Sequence, residues 1–319
     1  MISILKFLSV KPQRATGLAN SILSATQVLK INNHKFPCQE KILHKNDLIN
    51  VITNLTSFKV KEIELSLSVL RHSRSFCIII GGTSGTGKST ISSLLASRMN
   101  ISTVLSTDHI RNIQKSCISK ADDPILHKSS YEAYSTIYKD AIPKKDLIIE
   151  GFEMQSGKVV HDLPNLIKTF INRGESVIVE GVNFSIQNIL QFFRSEPKCI
   201  PFLVYISNPV KHLERFAVRA KYMTLEPRRN RYVENFENIR VIHDYLCSDA
   251  AENGIPAVDN TNIDRSLAII HETVLKYLLD FQIDFKMFEE RLKHLNDSLR
   301  KVYERHWSSK PMLQLIKKR

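Results

Sequence analysis

The stretch FCIIIGGTSGTGKSTISSLLASRM, residues 76 to 99, joins three patterns end to end. Phe76 to Ile80 is an apolar, β-branched run that predicts a buried strand. Glycines at 81, 82, 85 and 87 predict a loop, and Ile91, Leu94, Leu95 and Met99 follow at helical spacing. Gly82 to Ser89 fits the spacing G-x-x-x-x-G-K-[ST], with the strand before it and the helix after it that this template needs.

The geometry of such a loop suits a polyphosphate. A buried strand anchors one end, the glycines let successive N–H groups turn inward, and the helix start adds unpaired donors and the positive end of its dipole. Gly82, Thr83, Ser84, Gly85, Thr86, Gly87, Lys88, Ser89 and Thr90 are therefore the candidate ATP-binding residues. Lys88 is expected to reach the β and γ phosphates, and the Ser89 hydroxyl to ligate Mg²⁺. The competing reading is a glycine-rich turn that binds nothing.

Outward from this loop the pattern repeats. Ser102 to Leu105 predicts a second strand ending in Ser106-Thr107-Asp108-His109-Ile110-Arg111. A carboxylate just past a strand end opens onto the crevice where α/β folds bind ligands, so Asp108 is a candidate to accept a hydroxyl proton or hold the metal's water shell. Its plainer role is the N-cap of a helix beginning at His109. Arg111, one turn on, suits a substrate phosphate. Ser176 to Glu180 (SVIVE) reads as a buried parallel strand, which places Glu180 at a strand end as a candidate Mg²⁺ anchor beside Ser89, or as a buried salt-bridge partner. Pro201 to Ile206 supplies a fourth strand, followed by Lys211, Arg215, Arg219, Lys221, Arg228, Arg229 and Arg231 against only Glu214 and Glu226. Arg215 and Arg219 share a helix face, and a basic helix here suits a lid that closes on phosphates, or else a merely solvated face. Ile255 to Val258 is a fifth strand ending in Asp259-Asn260-Thr261-Asn262, with a helix through Leu267, Ile270, Val274 and Leu278 after it. Strands alternating with helices predict a P-loop kinase-type α/β fold, a parallel sheet flanked by helices.

The flanks read as helical. Ile22 to Leu29 and Leu48 to Leu70 carry helical apolar spacing, and the basic stretch Arg71 to Ser75 suggests a boundary near residue 72. Residues 117 to 150 are mixed, with Pro124 and Pro143 as breaks, and Tyr131, Tyr134 and Tyr138 spaced as one helix face. Gly157 to Asn172 reads as a single helix despite Pro164. From Phe288, Leu292, Leu295, Leu299, Val302 and His306 predict a helix packed along the core. The expected division is a helical N-terminal region (1–72), a kinase domain (73–280) and a basic helical tail (281–319).

Composition narrows the class of partner. The 319 residues are 43% hydrophobic with a formal charge of +13, which calls for an anionic partner. Cysteines 38, 77, 117, 199 and 247 form no C-x-x-C pair, which argues against a disulfide framework or zinc site and for a reducing compartment. No apolar run approaches the roughly 20 residues of a membrane span. Residues 1 to 39 hold five basic residues and no acid, as a mitochondrial transit segment does or as a short helical subdomain does; a cytoplasmic location goes with the second reading.

STDHIR, SSYEAY, VIVEGVNFS and above all ERFAVRAKYMTLEP and DNTNIDRS resemble the 2-phosphoglycerate kinase family, most closely its plant branch of low-phytic-acid P-loop proteins. The resemblance spans about residues 74 to 280. It implies a nucleoside-monophosphate-kinase-type core that moves the γ-phosphoryl of ATP to a small phosphorylated hydroxy acid, 2,3-bisphosphoglycerate being the archaeal product, and in plants a link to inositol hexakisphosphate. It assigns 82–90 to ATP, Asp108 and Arg111 to the acceptor, Glu180 to the strand-end acid and Arg215, Arg219 and Lys221 to the lid. Members usually carry His where this chain has Asn183. Their N-terminal region resembles an ATP-cone, to which residues 15 to 29 (ATGLANSILSATQVL) are similar. The expected function is an ATP- and Mg²⁺-dependent phosphotransferase acting on a small anionic acceptor. A polynucleotide 5′-hydroxyl kinase, for which the lid offers only Tyr222 and Tyr232 as stacking rings, and a non-catalytic ATP-binding module are the alternatives.

Overall fold

The computed structural model describes residues 1–32, 45–137, 142–222, 231–280 and 287–307. Helices α1 (Ile2–Phe7), α2 (Pro12–Asn32), α3 (Lys45–Leu55) and α4 (Val60–Leu70) lead into β1 (Cys77–Gly81). Then come α5 (Lys88–Met99), β2 (Thr103–Ser106), α6 (Thr107–Cys117), α7 (Lys144–Val160), α8 (Leu163–Asn172) and β3 (Val177–Gly181). The chain continues through α9 (Ile186–Ser195), β4 (Cys199–Tyr205), α10 (Pro209–Tyr222), α11 (Arg231–Glu234), α12 (Phe236–Glu252), β5 (Ala257–Asp259), α13 (Ile263–Asp280) and α14 (Phe288–Trp307).

The five expected strands form one parallel sheet in the order β2-β3-β1-β4-β5. Every residue of β1 is buried, because the strand is central and covered on both faces. Alternation along it sends Ile78 and Ile80 to one side and Cys77 and Ile79 to the other. On the first side they join Phe202, Val204, Ile91 and Leu95, and on the second Val179, Phe152, Ile167 and Phe193. The result is a three-layer sandwich with two apolar cores. Pro201 is tolerated inside β4 for a local reason. Leu203 N–H donates to Pro256 O at 2.8 Å toward β5, whose pairing starts at Leu203. Residue 201 faces the same edge two residues earlier, where β5 has not begun and no N–H is needed.

The N-terminal helices share the first core: Leu5, Phe7, Ala15, Ile22, Ile52 and Ile63 lie in one continuous apolar cluster with Ile78 and Ile80. Helix α14 packs Leu295, Leu299 and Val302 into the same cluster, as its spacing predicts. Among the described residues no helix is long and apolar enough to cross a membrane. Cys77, Cys117, Cys199 and Cys247 are free thiols; Cys38 lies outside the described residues.

Three helix readings change. Leu48 to Leu70 is two helices, because Thr56 Oγ1 donates to Ile52 O (2.6 Å) and accepts from Phe58 N (3.3 Å), replacing the backbone ladder at that point. The helix expected from Gly157 begins at Lys144, after Pro143, and ends at Val160; α8 restarts with Pro164 in its first turn, where a missing N–H costs nothing. Tyr131 and Tyr134 are not on an α-helix: Tyr131 lies in a turn and Tyr134 in the single 3₁₀ turn Ala133–Thr136, while Tyr138 lies outside the described residues.

Candidate active site

The glycine-rich loop crosses the carboxyl end of β1. Gly82 sits at φ +145°, and a Cβ there would lie 2.2 Å from Val204 O of the neighbouring strand, so only glycine lets the loop leave the sheet at this angle. Gly87, at φ +85°, is the N-cap of α5. Lys88 is 5% exposed, and its Nζ donates to Thr83 O at 2.8 Å, an acceptor shared with Thr86 Oγ1 at 2.9 Å. The ammonium is thereby folded back over the loop on a neutral carbonyl.

In front of the loop lies a cleft of about 600 Å³ whose lining includes Gly87, Lys88, Ser89, Asp108, Glu180 and Arg215. Strand register explains the convergence. Glu180 pairs with Ile80 of β1 and with Ser106 of β2, so the three strands end at one level and their following residues open into one crevice. Ser89 Oγ donates to Glu180 Oε1 at 3.0 Å, and Glu180 is 6% exposed. A hydroxyl and a carboxylate this close are hard oxygen donors of the kind Mg²⁺ takes. Among the described residues no three His, Cys, Asp or Glu side chains gather as a metal cage, and Mg²⁺ asks for none, completing its shell with water and substrate phosphates. The donor set fits the ion.

Asp108 lines the cleft with its side chain 53% exposed. It is not the helix cap: α6 starts at Thr107, and Ser106 Oγ accepts from Asp108 N at 3.3 Å. Its carboxylate is thus left to face the cleft from the first turn. Arg111 NH2 stands 3.7 Å from Asp108 Oδ1, while its NH1 donates to Lys128 O (3.0 Å) and Gln155 Oε1 (3.3 Å). The guanidinium is therefore held by protein acceptors, and Arg111 is not among the residues that line the cleft.

Behind Arg111 lies a buried polar cluster that the sequence reading did not find. Asn183 is fully buried and its Nδ2 donates to Ser130 Oγ (3.1 Å) and Gln155 Oε1 (2.9 Å), while its Oδ1 accepts from Thr107 Oγ1 (3.3 Å). Gln155 Nε2 donates onward to Ile125 O and Lys128 O. With both donors and its acceptor engaged, Asn183 joins four segments of chain. Asn183 and Ser130 lie inside the motifs VIVEGVNFS and SSYEAY that carry the resemblance, whereas Gln155 carries no local pattern.

The basic helix α10 meets the loop from behind. His212 is fully buried with Nε2 2.8 Å from Ser84 O, and Phe216 is fully buried beside it. Arg215 donates through NH1 to Thr86 O (3.5 Å) and through NH2 to Asn260 O. Burial lowers the Arg215 pKa from its usual value. Asn260, fully buried just past β5, donates Nδ2 to Thr86 O at 2.8 Å. Arg219 lies on the same helix one turn beyond Arg215; its side chain, and Lys221, Arg228 and Arg229, lie outside those described. Tyr232 reaches the cleft wall, its ring stacked on Phe216 (5.2 Å, 5°) and tilted against Tyr131 (6.0 Å), so protein rings occupy the stacking positions. Asn260 lies inside the motif DNTNIDRS and His212 two residues before ERFAVRAKYMTLEP, but no periodicity marks either as a loop contact.

A parallel sheet in this order, with a glycine-rich loop leading from its central strand into a helix, an acid at the end of the adjacent β3 and another just past β2, defines a P-loop kinase-type α/β protein. No protein-family model matches the sequence. It is 34% identical over 226 residues to a 2-phosphoglycerate kinase of Methanococcus maripaludis, covering 70% of this chain and 67% of that one. The corresponding enzyme of Methanocaldococcus jannaschii is 33% identical over 213 residues, 66% of this chain and 67% of that one. The chain belongs to the 2-phosphoglycerate kinase family. An uncharacterized protein of Dictyostelium discoideum is 44% identical over 262 residues, 80% of this chain but 31% of its own length. The chain thus spans about a third of that relative, and 65% of the Methanopyrus kandleri 2-phosphoglycerate kinase. Among solved structures, shikimate kinase from Acinetobacter baumannii superposes with a TM-score of 0.40 at 15% identity, over 68% of this chain and 99% of that one.

Proposed function

We propose that this chain transfers the γ-phosphoryl group of ATP, with Mg²⁺, to a hydroxyl of a small phosphorylated acid of the 2-phosphoglycerate class. The observation that carries the reading is the Ser89–Glu180 contact at 3.0 Å on the wall of the cleft that Lys88 and Asp108 also line. On this reading the amides of residues 82–90 hold the triphosphate. Lys88 leaves the Thr83 carbonyl for the β and γ oxygens, since a charge-assisted bond to phosphate is stronger than one to a neutral acceptor. Ser89 and Glu180 would hold Mg²⁺, which when bound neutralises charge on the β and γ oxygens. Asp108 takes the acceptor's proton as its oxygen bonds to the γ phosphorus; the bond to the bridging oxygen breaks, and ADP leaves. Arg111, Arg215 and Arg219 supply positive charge around the transferred group. Residues 73–280 would be the catalytic domain, flanked by helical regions 1–72 and 281–319.

Phosphoryl transfer asks a protein mainly for position and charge, and the cleft holds groups for both. The test is ADP release by purified protein with Mg²⁺ and ATP, given 2-phosphoglycerate, 3-phosphoglycerate or inositol phosphates in turn. Acceptor-stimulated turnover with 2-phosphoglycerate, lost in Lys88→Ala, supports the proposal; turnover only with inositol phosphates moves the acceptor to the class implied by the plant resemblance. ATP uptake with no acceptor-stimulated turnover leaves a nucleotide-binding module.

A further inference from the structure

We infer that His212 and Asn260 are positioning residues that clamp the glycine-rich loop from outside and thereby aim the Gly85 and Gly87 amides into the cleft. The inference deepens the reading above, on which it rests for what those amides receive. In a trans peptide the carbonyl of one residue and the N–H of the next point in opposite directions. The Ser84 carbonyl is held at 2.8 Å by His212 Nε2, and the Thr86 carbonyl at 2.8 Å by Asn260 Nδ2, both donors fully buried. With these two carbonyls drawn outward, the N–H groups of Gly85 and Gly87 turn the other way, toward the cleft that both residues line.

The fit behind the loop is close. A Cβ on Gly85 would lie 2.6 Å from Phe216 Cζ, and one on Gly87 2.5 Å from Asn260 Nδ2. Both glycines have positive φ, +81° and +85°, a conformation that an isolated glycine leaves as readily as it enters and that forms an anion-binding nest only if something fixes it. Fixing a residue's backbone costs conformational entropy, so a loop ordered beforehand spares the nucleotide that cost.

The chemistry of the donors agrees. Facing a carbonyl oxygen, His212 Nε2 must carry the hydrogen, and Nδ1 has no partner. Burial, with the nearby charges of Arg240 and Lys88, pushes the ring's pKa down to about 4 despite the Ser84 bond, so the imidazole holds the loop as a neutral donor. His243, in ring contact at 5.7 Å, is turned the other way: its Nε2 accepts from Ile206 N and its Nδ1 faces Asp244. Arg215 adds a longer bond to the same Thr86 carbonyl, so the start of α10 and the turn after β5 both brace the loop.

The test uses the full chain and four variants: His212→Leu, His212→Gln, Asn260→Asp and Asn260→Ala. In the nucleotide-free protein, ¹⁵N relaxation should give Gly85 and Gly87 amides rigid order parameters of about 0.85, falling below about 0.6 at Gly85 in His212→Leu and at Gly87 in both Asn260 variants. His212→Gln, which keeps a donor at the Nε2 position, should stay rigid. ATP affinity by calorimetry in Mg²⁺ should drop about tenfold in the donor-less variants and less than about threefold in His212→Gln. Unchanged order parameters in well-folded Asn260→Asp and His212→Leu would overturn the clamp; if His212→Leu fails to fold, the comparison of Asn260→Asp with His212→Gln decides. Should the unaltered protein take up no ATP, the phosphotransferase reading falls, while the order parameters still decide the clamp.

Discussion

Replacing Glu180 with Gln separates the site's chemistry from its architecture. The amide keeps the shape and an oxygen that Ser89 Oγ can still reach from 3.0 Å, but removes a negative charge at a position 6% exposed. Two effects of opposite sign follow. Burying a carboxylate is costlier than burying a neutral amide, so the nucleotide-free protein should hold its stability or gain about 1 kcal/mol, which for a chain of this size is about 2 °C in Tm. Metal affinity should fall by about 10- to 100-fold, the range for losing a carboxylate that orients a ligand or the metal's water, equal to about 1.4–2.7 kcal/mol at 1.36 kcal/mol per decade. Titrating Mg²⁺ into a calorimetric ATP-binding assay, with Tm read in parallel, measures both. A variant with lower Tm and an unchanged Mg²⁺ requirement would refute the reasoning, because Glu180 would then be a structural partner of Ser89 alone.

Asp108→Asn should leave Tm and ATP affinity nearly unchanged, since the side chain is half exposed, and cut kcat by about 10²- to 10⁴-fold if Asp108 is the base; full rate would reduce it to a first-turn helix residue. Asn183→Leu should lower stability by about 3 kcal/mol, seen as an earlier denaturant midpoint, because Ser130, Gln155 and Thr107 lose buried partners; a loss under about 0.5 kcal/mol would mean the cluster rearranges. His212 and the fully buried His271, whose Nε2 lies 2.9 Å from Phe7 O, both have pKa values lowered by burial from 6.5 to about 4. Each ring takes a proton in the unfolded chain below about 6.5 but not in the fold until about 4, so their stability contribution is present at pH 7 and is lost as pH falls through that window, at up to about 1.4 kcal/mol per pH unit for each ring. Urea denaturation at pH 7, 6 and 5 should show this decline, to which the burial-lowered His243 and His294 add, and His271→Gln should make it shallower; an unchanged slope in that variant would contradict the assignment.

Much of the site was legible because it is local. Strand, glycine spacing, Lys88 and Ser89 fall within one stretch of residues 76–99, Glu180 announces itself as an acid ending an apolar run, and Asp108 as one just past a short strand. The five strands were legible too, as short β-branched runs between helical patterns, and so was the kinase-type fold. The errors fell where hydrogen bonds compete over a few residues: Thr56 splitting one helix, Pro164 starting another, and Ser106 capping α6 in place of Asp108.

By itself, then, the sequence determined which segments are strands, which loop carries the glycine-rich spacing and which acids stand at strand ends, because continuous apolar, β-branched runs and glycine placement are written over neighbouring residues. Only the tertiary structure decided that Glu180 meets Ser89 across 91 positions, that Asn183 is saturated by Thr107, Ser130 and Gln155, and that His212 and Asn260 grip the loop from 128 and 174 positions away. Those contacts depend on strand order and on how α10 lies across the sheet, and a hydrogen bond between distant segments leaves no periodic trace in either of them.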